Sequence, residues 1–171
     1  MSRYRTLSRI DTLVVHCAAT PNGRAVPIEE IDRWHRARGF ERAWEARVGA
    51  GPWAGRGPHQ QALEAIGYHF VIGVHGVTDA GRRLTETGAH ARGWNTRGVG
   101  ICLVGTDRFT IGQWETLRAL VRSLPRKLPR LHHILGHRDL PGVHKSCPGF
   151  DVAAWLAADC EPPAEHILEA V

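Results

Sequence analysis

Short apolar runs recur along this chain between polar, glycine- and proline-rich breaks. The run DTLVV (11–15) is rich in β-branched residues, ends at His16 and breaks into CAATPNG (17–23). It predicts a buried strand followed by a loop. Pro27 suits a first helical turn, and the following IEEIDRWHRARGF places Ile28, Ile31 and Trp34 at helical spacing. YHFVIGVHGVTDAG (68–81) predicts a strand, a turn near His75 and Gly76, and a second short strand. VGICLVG (99–105) predicts another buried strand. Thr110 followed by Gln113 matches a capping box, and it opens the helix IGQWETLRALVRSL, which Pro125 and Pro129 close. RLHHILGH (130–137) is a further strand candidate, and Asp151 can cap a final helix VAAWLAAD. The stretch GAGPWAGRGPH (49–59) predicts a surface excursion and QQALEAI (60–66) a short helix. Strands alternating with helices argue for an α/β fold, a single domain over 1–171 with one central mixed sheet flanked by helices.

Composition narrows the class. Hydrophobic content of 43% and charged content of 23% are ordinary for a soluble globular protein. A net charge of +5 and a pI of about 9.5 suggest an anionic partner: a nucleic acid, a membrane surface or an acidic wall polymer. The arginines are dispersed rather than striped and no groove-reading motif appears, so no specific nucleic acid is expected. The N-terminus lacks an apolar signal region, and no apolar run approaches the roughly 18 residues of a membrane span. The expectation is a protein made in the cytoplasm without signal peptide or membrane span. Four scattered cysteines do not make a disulfide scaffold, and Cys102 lies in a core strand.

The densest chemistry lies in GHRDLPGVHKSCPGF (136–150). His16 and His137 stand at strand ends, where α/β proteins usually place chemistry, and Cys147 follows in a tight turn. Two imidazoles and one thiolate suit a catalytic zinc, with a fourth position left for water. Each signal is weak alone. The chain holds 11 histidines, a strand-end histidine is more often a hydrogen-bonded surface residue, and Cys147 by itself could be a free thiol or a small hydrophobe. His59, His75, His132, His144 and His166 have no supporting context, while His35 and His69 suit structural roles. Spacing alone leaves the metal site and the bland alternative level.

Five ordered motifs change that balance. They are VVHCAAT (14–20), IDRWHRARGF (31–40), GYHFVI (67–72), ETGAHARGWNTRGVGICLVG (86–105) and GHRDLPGVHKSCPGFD (136–151). In these the chain resembles the zinc-dependent N-acetylmuramoyl-L-alanine amidases of the phage-lysozyme type, which share a fold with peptidoglycan recognition proteins. The resemblance implies Zn²⁺ held by His16, His137 and Cys147, with Tyr68 and Lys145 catalytic. It also implies a groove lined by His90, Trp94 and Asn95. Lys145 is one of only two lysines beside Lys127 in an arginine-dominated chain, which fits a dedicated role. Either Lys145 or Arg138 would reach the reacting carbonyl. Asp139 would either orient His137 or cap its turn.

The implied activity is hydrolysis of the amide between N-acetylmuramic acid and L-alanine in peptidoglycan. The implied setting is a phage or prophage endolysin, acting as a monomer on the cell wall after release. The alternatives are a non-catalytic peptidoglycan-binding module and a cytoplasmic muropeptide-recycling amidase. The catalytic core would span about 9–157, with 41–66 an insertion relative to compact phage enzymes.

Overall fold

The computed structural model describes residues 3–43 and 62–169 of the 171. Most of the 41–66 segment therefore lies outside the described residues. Five strands form one sheet: β1 (Thr12–Cys17), β2 (Phe70–Ile72), β3 (Thr78–Ala80), β4 (Gly98–Leu103) and β5 (His133–Gly136), in the order β3-β2-β4-β1-β5. β2, β4, β1 and β5 run parallel, and β3 pairs antiparallel with β2, so the sheet is mixed as expected.

All six residues of β1 and of β4 are buried. This is the signature of parallel strands covered on both faces. Leu13, Val15 and Cys17 of β1, with Val99, Ile101 and Leu103 of β4, belong to the larger core. Against them pack Trp114 and Leu117 of α2 (Ile111–Ser123) and Trp155 of α3 (Val152–Ala157). The opposite face carries Val71, Cys102 and Val104, covered by Ile28 and Ile31 of α1 (Ile28–Ala37) and by Leu63 and Ile66.

Helix starts follow local chemistry. The Thr110 hydroxyl accepts the N–H of Gln113 at 3.2 Å while Gln113 Oε1 accepts that of Thr110 at 3.0 Å, a reciprocal capping box. Asp151 Oδ1 accepts the Ala154 N–H at 2.9 Å. Glu29 and Glu30 occupy the first turn of α1, favourably placed for the helix dipole. At the β2–β3 turn Gly76 has φ +76°, and a Cβ there would meet the Gly112 carbonyl oxygen at 2.6 Å.

One expected helix does not reach its predicted end: of the run 60–66, Gln60 and Gln61 lie outside the described residues and Ala62 is helical. Leu63–Ile66, inside the predicted QQALEAI helix, is irregular. The Asp32 carboxylate of α1 accepts the N–H groups of Ala65 and Ile66 at 2.7 and 2.6 Å, satisfying this backbone without a helix. Beside it, Arg42 and Glu86 form a buried bidentate pair at 3.0 and 2.9 Å.

Candidate metal centre

His16 is the fifth residue of β1, and strand alternation sends its side chain to the α1 face with Val14, opposite Leu13, Val15 and Cys17. His137 opens a single helical turn, His137–Asp139, directly after β5, the neighbour of β1. Cys147 comes from the loop that leads into α3. The three converge at the C-terminal edge of the parallel strands, with candidate ligand atoms all within 4.8 Å of one another. Cys147 Sγ lies 3.8 Å from His16 Nδ1, and the His16 and His137 ring centroids are 4.5 Å apart. This group could hold a metal ion.

The surroundings keep both imidazoles neutral. Burial holds His16 well below the usual histidine range, with the His90, His137, His35 and Lys145 charges acting the same way. His137 is lowered by burial and then by Lys145. Neutral rings carry the lone pairs that a cation needs. The Cys147 thiol is pushed far up by its contact with the Cys17 thiol and by burial, so coordination would require that proton to leave. The Cys17 backbone N–H points at Cys147 Sγ at 3.3 Å, an arrangement that favours the thiolate once formed. Nothing in the sequence flags this backbone donor.

Tyr68 packs against His16 with ring centroids 5.2 Å apart, and on its other side against His35 at 5.1 Å. Burial pushes its phenol well above the ordinary tyrosine range, so it keeps its proton at neutral pH. A cavity of about 400 Å³ opens beside the centre, lined by His90, Arg92, His137, His144 and Lys145 among others. Lys145 is thus an exposed cation at the rim. The exposed Arg138 contributes its backbone N–H to the Cys147 carbonyl at 2.7 Å. Asp139 takes the capping option: its Oδ2 accepts the Gly136 N–H at 2.8 Å.

The three expected groove residues fall in different places. His90 lines the cavity but also sits behind His16, with its Nδ1 3.0 Å from His16 Nε2. Burial lowers its pKa to about 3. Asn95 Oδ1 accepts the N–H groups of His90 and Ala91 at 2.8 and 2.9 Å, bracing the loop from within. Trp94 packs with Val14, Ala91 and Leu140, and Arg97 stacks 4.9 Å over its ring. His35 and His69 each accept a backbone N–H through Nδ1, from Gly67 at 2.8 Å and from Gly100 at 3.0 Å, as structural histidines do.

An α/β sheet presenting two imidazoles and a thiol at its strand ends, beside an open cavity, has the layout of an enzyme with a candidate metal site. The comparisons narrow that class. The family model described as N-acetylmuramoyl-L-alanine amidase matches residues 6–150, and the chain belongs to that family. It is 30% identical to the endolysin of Escherichia phage T7 over 165 residues, covering 90% of this chain and 89% of that protein. It is likewise 30% identical to the endolysin of Klebsiella phage KP32 over 165 residues, covering 91% and 92%. Among solved structures, N-acetylmuramoyl-L-alanine amidase LysC from Clostridium intestinale URNW superposes with a TM-score of 0.68 at 25% identity, covering 92% of this chain and 89% of that one. Drosophila peptidoglycan recognition protein SA, at 20% identity and a TM-score of 0.60, shares the fold, covering 98% and 86%. The chain is a peptidoglycan amidase. Among the described residues no helix is long and apolar enough to cross a membrane.

Proposed function

We propose that the chain is a zinc-dependent endolysin that cuts the amide between the lactyl group of N-acetylmuramic acid and L-alanine. The observation that carries this reading is the convergence of His16, His137 and Cys147 within 4.8 Å in a chain of the amidase family. Their chemistry fits zinc: two imidazole nitrogens, one sulfur and no carboxylate, with a cavity on the open side. Zinc held by His16, His137 and Cys147 would supply Lewis acidity and make hydroxide available from water near neutral pH.

The remaining work falls to side chains. Lys145, at the cavity rim, neutralises charge developing on the scissile carbonyl oxygen. Tyr68 keeps its phenolic proton and offers an O–H to orient water or to help the leaving amine. The excess of positive charge draws the enzyme to anionic wall polymers.

Digestion of purified sacculi should release new L-alanine amino termini. His16→Ala and Cys147→Ser should abolish that release while largely preserving the fold. Full activity of either variant in metal-free buffer would overturn the zinc reading. A preference for small anhydro-muropeptides over intact sacculi would replace the endolysin role with a recycling one.

A further inference from the structure

His90 belongs to no ligand set, yet its ring completes a chain that begins at a backbone carbonyl and ends at the cation position. The Gly98 carbonyl oxygen lies 3.4 Å from His90 Nε2, and a carbonyl can only accept. Nε2 of this half-buried ring therefore carries a proton, and the other nitrogen, Nδ1, is the one left to accept through its lone pair. That lone pair meets His16 Nε2 at 3.0 Å, so His16 must be the donor. His16 is left with a bare Nδ1, the atom 3.8 Å from Cys147 Sγ. The carbonyl is thereby linked, through two imidazoles, to a His16 whose lone pair is on the nitrogen that faces Cys147.

The ring of His90 has little room to choose another position. A Cβ at Gly100 would meet its Cγ at 2.6 Å, and one at Gly88 would meet its Cδ2 at 2.5 Å. Both glycines are buried, so the imidazole rests directly on backbone. Asn95 Oδ1 pins the His90 and Ala91 N–H groups from the loop side at 2.8 and 2.9 Å. The His69 ring meets it edge-on at 5.6 Å. This cradle, built from β4, from the turn before it and from His69 just ahead of β2, holds the ring in place for its hydrogen bonds as well as packing it.

We infer that His90 is a positioning residue that holds His16 as the Nε2–H tautomer and so presents Nδ1 to a divalent cation. The inference rests on the metal-dependent reading above. A groove residue whose task was to touch substrate would alter KM and leave metal affinity untouched. A partner of a ligand imidazole does the reverse, and such partners typically govern metal affinity by about 10–100-fold.

The test measures zinc affinity by chelator competition on the wild-type chain, His90→Leu and His90→Asn. In the asparagine variant the amide oxygen stands where the imidazole Nδ1 stood and still accepts from His16. We expect zinc affinity to fall about 10–100-fold in His90→Leu and to recover most of that loss in His90→Asn. Long-range ¹H–¹⁵N spectra of the metal-free wild-type chain should show His16 protonated at Nε2 and bare at Nδ1. This readout needs no variant to fold. Wild-type zinc affinity in a folded His90→Leu chain, or an Nδ1–H tautomer at His16, would overturn the assignment. Failure of the wild-type chain to bind zinc would sink the zinc reading itself, while the tautomer spectrum would still decide the role of His90.

Discussion

Lowering the pH from 8 to 5 should destabilise the metal-free protein through His35, and the size of the effect can be worked out. His35 is 4% exposed, accepts the Gly67 N–H at Nδ1 and packs against Phe40 and Tyr68 at 5.0 and 5.1 Å. A proton on Nδ1 would face an N–H and sit where water cannot reach it. Burial, reinforced by Arg38, lowers its pKa from 6.5 to about 4. Between those values the unfolded chain binds the proton and the native one does not, so stability falls as pH falls. The His35 contribution is whole above about pH 6.5 and is drawn down as pH approaches 4. At pH 5 the linkage relation gives a loss of about 2 kcal/mol relative to pH 8. His35→Asn retains an acceptor near the Nδ1 position but cannot titrate. Urea unfolding of both proteins at pH 8 and 5, in chelator so that no metal competes for protons, isolates the effect. The wild-type chain should lose about 2 kcal/mol more than the variant over this range. Parallel losses would show that the native state accommodates the charged ring, and the argument from burial would fail.

Three further outcomes can be checked. In Gly100→Ala the new Cβ would lie 2.6 Å from His90 Cγ, against the roughly 3.5–4.0 Å of ordinary carbon contacts. The ring must shift, costing about 1–3 kcal/mol in urea unfolding and about tenfold or more in zinc affinity; unchanged affinity would mean that the ring tolerates displacement. Lys145→Ala should lower turnover by about 10²–10³ with zinc content unchanged by metal analysis, and wild-type turnover would remove it from the reaction. Glu86→Ala leaves the buried Arg42 guanidinium without its carboxylate and should cost about 3–5 kcal/mol in thermal or urea unfolding. A loss below about 1 kcal/mol, typical of exposed pairs, would show that water reaches the site.

Legibility of the fold tracked how local each cause is. The β1 run and the Thr110–Gln113 capping box are settled by neighbours within a few residues, and both are as expected. The stretch Leu63–Ile66 is not: its local preference is helical, but Asp32, 33 and 34 positions away, takes the Ala65 and Ile66 N–H groups and removes the reason for the helix to continue there. The candidate centre divides the same way. Strand-end placement was enough to group positions 16, 137 and 147 as a candidate set, but motif resemblance was needed to favour that set over the bland alternative. Their meeting depends on β5 lying beside β1, a fact of topology.

His90 shows where pattern reading stops. The resemblance implies a place in the groove, and His90 does line the cavity beside the candidate centre. The pattern does not show its further contacts with strand β4, whose Gly98 carbonyl lies 3.4 Å from Nε2 and whose Gly100 leaves room for the ring. The signal that was present is the run of glycines at 88, 98 and 100 around AHARGWN. None of the three has a positive φ, and at Gly88 and Gly100 the close approach of the His90 ring supplies the physical reason. Glycines of that kind, beside a histidine and a strand, point to a ring seated on backbone. Such a ring can have its tautomer dictated by the main chain, and the tautomer it passes on decides whether the His16 nitrogen facing Cys147 carries a lone pair or a proton.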